Sequence, residues 1–181
     1  MAEGTVTIST ATINDIAVLA QLGADTFVET FGAMYAEEDL NAFLKEHHSH
    51  NAYRAAFNNP KVCTWLARAG DGTAVGFASA GPCHLPVPDM PPGSGELIRL
   101  YVLKSHQRGG LGVQLLERSL DFLETHFDHI YLSVFSGNTG AQRLYVRYGF
   151  EKIHDYHFMV GNHADDEYLM QRTRLIRPSS R

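Results

Sequence analysis

The chain has 181 residues and a formal net charge of −5, long enough for one domain with a sizeable core and too acidic for the broad basic footprint that nucleic-acid binding needs. Apolar, aromatic and charged residues make up 44%, 10% and 19% of it, proportions of an ordinary soluble protein, and no apolar run reaches membrane-spanning length. Only two cysteines are present, Cys63 and Cys83, too few for a disulfide framework or a zinc knuckle.

The opening Met1-Ala2-Glu3-Gly4 lacks the basic-then-apolar pattern of a leader, so a cytoplasmic chain with free thiols is expected. Residues 6–9 alternate and predict a first strand. Asn14-Asp15 can cap a helix running to Phe31, with Ile16, Leu19, Ala20 and Phe27 near helical spacing. Further helices are predicted over 36–47, with Leu40, Phe43 and Leu44 on the apolar face, and over 51–57, before Pro60. Strands follow at 62–67 and 74–80, around the turn Gly70-Asp71-Gly72. Residues 82–95 hold five of the seven prolines and read as a long loop, either a surface insertion or the border of a site.

A strand over 96–103 leads through a turn to a helix from Gly110 to about His126, with Leu111, Leu115, Leu116, Leu120 and Leu123 as its apolar stripe. A strand at 130–134, a helix at 139–148 stopped by Gly149, and strands at 150–158 and 167–174 complete the chain before a frayed tail at 178–181. The pattern predicts an α+β fold: a mixed, largely antiparallel sheet of about six to seven strands, flanked by helices.

The turn Gln107-Arg108-Gly109-Gly110-Leu111-Gly112 stands between a strand and the N-terminus of a long helix. Free backbone N–H groups and the helix dipole favour an anion there, glycines let it approach closely, and Arg108 can add a charge-assisted bond. A P-loop would need a Gly-Lys-Ser/Thr ending, and a dinucleotide fingerprint a different glycine spacing. Spacing alone leaves a phosphate site or a plain glycine-rich turn.

The segment resembles the Gln/Arg-x-x-Gly-x-Gly/Ala motif of GCN5-related N-acetyltransferases, and Leu100-Tyr101-Val102 resembles the strand end that precedes it in that family. A second segment, from Ile130 through Asn138, Ala141, Tyr145 and Gly149-Phe150, resembles the family's strand, Asn, x-x-Ala, x-x-x-Tyr, x-x-Gly-Phe pattern. The resemblance implies a GNAT fold and acetyl-CoA as cosubstrate. It implies that Leu100, Tyr101 and Val102 hold the pantetheine and that Gln107, Arg108, Gly109, Gly110, Leu111 and Gly112 hold the pyrophosphate. Asn138 would contact the cofactor, and Tyr145 would protonate the departing thiolate. Read without the resemblance, Tyr145 is a packed helix aromatic.

An attacking amine must be neutral, so a base is needed. In histone-type members the base is a Glu at the start of the strand before the pyrophosphate loop, which is Glu96 here. In members acting on ribosomal protein N-termini it lies five residues before the Asn, where this chain has Ser133. Glu96 is the candidate base; its plainer role is a surface carboxylate paired with Arg99 or Lys61.

The stretch from Thr26 to Leu40 resembles bacterial polyamine acetyltransferases of the PaiA kind. By that likeness Phe27, Phe31 and Tyr35 wall a cationic acceptor and Glu29 pairs with its ammonium; otherwise this is an amphipathic helix with a solvated acidic face. No metal is expected at the His47, His48 and His50 cluster, because this transfer needs none. The expected acceptor is a small-molecule amine, with a protein amine also open, no nucleic-acid or membrane partner, and a homodimer left open. The alternative to an enzyme is a non-catalytic acyl-CoA-binding regulator on the same scaffold.

Overall fold

In the computed structural model residues 5–173 are described, so the expected tail at 178–181 and the end of the last expected strand, Arg174, lie outside the described residues. Seven strands form one sheet: β1 (Thr7–Thr10), β2 (Cys63–Arg68), β3 (Ala74–Pro82), β4 (Ser94–Val102), β5 (His129–Phe135), β6 (Glu151–Val160) and β7 (His163–Thr173). Their order is β1-β2-β3-β4-β5-β7-β6. Every pairing is antiparallel except β4 with β5, whose connection crosses over through a helix, as a parallel pair requires.

Among the described residues five α-helices cover the two faces. On one face, α4 (Leu111–His126) and α5 (Thr139–Arg147) pack their apolar stripe on Val75, Ala78, Ala80, Ile130 and Leu132. On the other lie α1 (Ile16–Phe31), α2 (Glu37–His47) and α3 (His50–Phe57). There Leu19, Leu22 and Tyr53 meet Phe77 and Leu66, while Phe27 and Phe43 close on Val160. A 3-10 turn enters α1, and its N-cap is Thr12, which forms a capping box with Asp15. Asp15 also pairs with Arg68 of β2 at 2.9 Å, fixing the helix entry to the sheet.

Two departures from the sequence reading bear on the site. The ladder of β3 and β4 runs into the proline-rich stretch, with Cys83 N–H on the Ser94 carbonyl, so the loop is only residues 83–93. The last hairpin starts earlier than the hydrophobic pattern indicates. Asp165 and Asp166 lie before the expected strand start at Glu167, yet β6 pairs with both of them.

The strands that make the site separate. β4 pairs with β5 only over Ser94–Glu96 against His129–Tyr131. Just beyond, the register of β4 against β3 slips between Ser79 and Ala80, so Ile98 has no partner residue in β3. Such a bulge bends a strand and increases its twist. From Leu97 onward β4 leaves β5, and a cleft opens between them.

The helix that carries the crossover is anchored by Leu115, Leu116 and Leu123, all fully buried. Replacing Leu115 with Ala leaves a void under the sheet, and large-to-small changes of this kind cost about 2–5 kcal/mol. Urea unfolding should show a lower midpoint for Leu115→Ala at an unchanged slope; an unchanged midpoint would contradict this packing.

Candidate active site

Three compartments join end to end along the cleft. The first surrounds the turn before α4 and includes Gln107, Arg108 and Gly109. The second, about 350 Å³, lies between Leu100–Val102 on one side and Phe135, Gly137 and Asn138 on the other, and Gln107 borders both. The third is a cavity of about 300 Å³ that shares Phe31, Leu100, Tyr101, Phe135 and Asn138 with the second.

At the turn, Gly110 is the N-cap of α4 with φ +81°, a left-handed conformation that any side chain strains, and no side chain caps the first helical turn. Arg108 also has positive φ, +68°, and is exposed. A Cβ added at Gly109 or Gly110 meets no atom of the chain within 4 Å. Packing therefore does not demand glycine here, whereas a ligand lying on the backbone would. The N–H groups at the start of α4, the open cradle and Arg108 suit a pyrophosphate.

Gln107 Nε2 donates to the Val102 carbonyl at 2.9 Å, tying the turn to the end of β4. Leu103 N–H bonds to the Val75 carbonyl, so strand alternation turns the polar backbone groups of Val102 and Leu100 to the opposite edge, into the cleft. With the Val102 carbonyl taken by Gln107, the Val102 N–H and the Leu100 groups suit the amides of a pantetheine arm. Tyr101 differs: its ring lines the second and third compartments.

Asn138 follows the end of β5 by three residues and is the N-cap of α5. Its side-chain oxygen caps the helix by accepting from Ala141 N–H at 3.1 Å. One helix face further on, Tyr145 is 7% exposed, lies edge-on to Phe150, and has no hydrogen bond on its hydroxyl among the described residues. It lines the cavity, and burial pushes its phenol well above the ordinary tyrosine range, so it holds its proton.

The cavity wall is aromatic. Phe27 stacks on Phe43 at 4.5 Å and on Tyr35 at 5.9 Å, and Phe31 sits edge-on to Phe135. Three of the four expected acceptor residues, Phe27, Phe31 and Tyr35, face it. Glu29 does not: its carboxylate accepts from Lys104 N–H at 3.0 Å, outside the cavity, because it sits on the face of α1 turned toward the loop after β4.

Glu96 is at the closed end of the cleft, 8% exposed, with one oxygen accepting from His84 N–H at 2.9 Å. It makes no ion pair with Lys61 or Arg99, the partners its surface reading requires. Burial raises its pKa, and the His84 N–H opposes this. The proline-rich loop thus supplies the donor that fixes this carboxylate.

Several cavity residues escape the sequence reading. Ser133 and Tyr156 both donate to the same oxygen of Glu167, and the Tyr35 hydroxyl donates to Asp165. Arg99 lies 4.9 Å over the Tyr53 ring and donates to the His47 carbonyl. His48 is buried against the Tyr53 hydroxyl, and burial with nearby Arg99 pushes its pKa down to about 3, so it stays neutral. A signal for Glu167 and Asp165 does exist: they are two apart and share a face once 163–173 is read as a strand. Among the described residues no three His, Cys, Asp or Glu side chains are arranged to hold a metal ion. No helix among them is long and apolar enough to cross a membrane.

Comparison with known proteins agrees with this geometry. The acetyltransferase (GNAT) family profile matches residues 27–150. An uncharacterized N-acetyltransferase in the pepI 3' region of Lactobacillus delbrueckii subsp. lactis is 23% identical over 159 residues, covering 87% of this chain and 91% of that protein. The spermine/spermidine N(1)-acetyltransferase of Bacillus subtilis (strain 168) is 29% identical over 126 residues, covering 64% of this chain and 83% of that protein. Among solved structures, the PaiA N-acetyltransferase from Thermoplasma acidophilum in complex with coenzyme A superposes with a TM-score of 0.73 at 20% identity, covering 93% of this chain and 99% of that one. The chain belongs to the acetyltransferase (GNAT) family and is an N-acetyltransferase whose acetyl donor is acetyl-CoA.

Proposed function

We propose that this enzyme acetylates a small cationic alkylamine of the polyamine class, by direct transfer. The observation that carries the reading is the continuous cleft from the α4 N-terminus, along the free edge of β4, to a cavity with aromatic walls and three carboxylates, Glu96, Asp165 and Glu167. With His48 neutral, Arg99 is, among the described residues, the one lining residue of fixed positive charge, so the cavity favours a cation. The relative named as a spermine/spermidine acetyltransferase supports the same class. The free thiols Cys63 and Cys83 suit a reducing compartment, the cytoplasm.

Acetyl-CoA supplies an activated acetyl thioester. In this reading Gln107, Arg108, Gly109, Gly110, Leu111 and Gly112 hold its pyrophosphate, and the Leu100 and Val102 backbone holds its pantetheine, with Tyr101 and Asn138 beside it. Phe27, Phe31 and Tyr35 enclose the acceptor's methylenes and exclude water from the reacting nitrogen. Glu96 takes a proton from that nitrogen, and the Tyr145 hydroxyl gives its proton to the departing sulfur. Neither cysteine takes part: burial raises both thiols, Cys83 to about 11, which disfavours the nucleophilic thiolate.

Thiol release from acetyl-CoA with spermidine, amino acids, aminoglycosides and peptide N-termini tests the acceptor. Release is expected with spermidine foremost; release only with peptides would overturn the small-molecule reading, and release with none would overturn the polyamine reading and place the acceptor outside this panel.

Tyr145→Phe should retain coenzyme A affinity by calorimetry while kcat falls by about 10²-fold or more, the usual worth of a positioned acid. An unchanged kcat would remove Tyr145 from the chemistry.

Gly110→Ala should act at the other end of the cleft. A side chain in the left-handed region costs about 1–2 kcal/mol, and the added methyl intrudes on the anion cradle. The expected result is a raised KM for acetyl-CoA with little change in the KM for the amine; equal change in both would place the defect elsewhere.

A further inference from the structure

A charged group inside a cavity is normally matched by an opposite one, because burial without a partner is costly. The acceptor cavity departs from this rule at one residue. Of its three carboxylates, Asp165 accepts from the Tyr35 hydroxyl and has His163 Nε2 3.2 Å from Oδ1, while Glu96 accepts from the His84 N–H and feels the charge of Arg99. Glu167 has only two hydroxyls, Ser133 Oγ and that of Tyr156 at 2.8 Å, both on Oε2, and no cation beside it among the described residues. Burial, the largest influence, raises its pKa, and the Asp165 charge raises it too, against the pull of the two hydroxyls. A cation brought to Glu167 would relieve both.

The carboxylate is placed to meet one. Strand alternation sets Phe135, Glu167 and Tyr156, register partners across β5, β7 and β6, on the face of the sheet that bears the cavity, and all three line it. Oε1 of Glu167 has no hydrogen-bond partner among the described residues and is not sealed off, whereas Asp165 Oδ1 is. The strands on either side contribute aromatic rings, which also attract a cation.

Glu96 has the other open carboxylate oxygen, Oε1. It lies level with Tyr131 in the pairing of β4 with β5, and Glu167 lies level with Phe135, four residues further along β5. Four residues of strand separate those backbone levels by about 13 Å. The bond from Ser133, two residues back from Phe135, leans the Glu167 carboxylate toward Glu96 and shortens the span that an acceptor chain has to bridge.

The geometry points to Glu167 as a specificity-determining residue: it seats the ammonium that does not react, while Glu96 meets the nitrogen that does. The acceptor this selects is a diamine or polyamine, in preference to a monoamine of the same length. The seat rests on the reading of the cavity as an amine site and adds to it a requirement for a second charge. Asp165 strengthens the seat through its field and makes no contact of its own.

Turnover of 1,4-diaminobutane and of 1-aminobutane, which has the same carbon chain and one charge fewer, tests the seat. Wild type should prefer the diamine in kcat/KM by about 10–10²-fold, the usual worth of a hydrogen bond to a charged group. Glu167→Gln keeps the shape of the side chain and removes its charge. It should erase most of that preference by raising the KM for the diamine, with kcat at saturating diamine nearly retained and a much smaller change on 1-aminobutane. Equal use of the two amines by wild type, equal loss on both in the variant, or a loss confined to kcat would overturn the seat while leaving the enzyme an amine acetyltransferase. Absence of wild-type turnover with these amines and with spermidine would overturn the amine reading and the seat with it.

Should Glu167→Gln fail to fold, Glu167→Asp keeps the charge and draws it back toward β7. The ratio of kcat/KM for 1,5-diaminopentane over 1,4-diaminobutane should then rise; an unchanged ratio in a folded variant would also overturn the seat.

Discussion

The separation of β4 from β5 after Glu96 is the constraint from which the site follows. A parallel pair kept intact along its whole length would leave no room between the strands and no unpaired backbone edge. Three pairs hold the strands together at Ser94–Glu96, and the bulge at Ile98 then bends β4 away. The cost of unpaired backbone groups in the cleft is one a protein tolerates only where water or a ligand can satisfy them. Here the backbone groups of Leu100 and the Val102 N–H line a channel that begins at a helix N-terminus, and Gln107 takes the Val102 carbonyl. The same event that breaks the sheet therefore produces the binding surface.

Burial then sorts the ionisable groups. Tyr145 and Glu96 both sit below one-tenth exposure, and both shift toward their protonated forms. For the phenol that preserves an acid; for the carboxyl it strengthens a base. Hydrogen bonding supplies the finer distinction, since Glu96 has a backbone N–H and Glu167 has two hydroxyls. His48, equally buried, is forced neutral and acts as a packing group between Phe27, Phe43 and Tyr53. Similar surroundings thus give different roles because the charged form is the acid in one side chain and the base in another.

Local features of the chain made much of this legible. The leucine stripe of α4, the glycine-rich turn and the pattern around Asn138 and Tyr145 are each contiguous in sequence, and each folds as a unit. The proline-rich loop was legible as a loop but not as the donor to Glu96, since that bond joins residues twelve apart through a strand pairing. Glu29 shows the converse. Its place beside Phe27 and Phe31 suggests the acceptor pocket, yet a helix turns successive residues about 100° apart, and its carboxylate meets Lys104 instead. Glu167 was hidden for a third reason: its strand was legible from residue 167 on, but its place in the cavity wall comes only from pairing with β5 and β6.

The acceptor cavity is closed by elements from the two ends of the described chain. The turn at Gly161 lies against Asp39 of α2, whose carboxylate accepts from Asn162 N–H at 3.0 Å. Tyr35 reaches Asp165 from the connection just before α2, and Phe43 packs edge-on to Phe158. These contacts join the α1–α2 region to the β6–β7 hairpin, while the coenzyme channel is built from β4, β5 and the turns before α4 and α5, with Thr26, Thr30 and Met34 on the wall that α1 supplies. The two halves meet at Phe31, Tyr101 and Phe135, which border both spaces. Acceptor shape can therefore change through α2 and the hairpin without disturbing the strand edge and helix terminus that hold the donor. That separation explains why the motif-bearing segments are short and central, and why the residues that choose the amine are dispersed and hard to read from sequence.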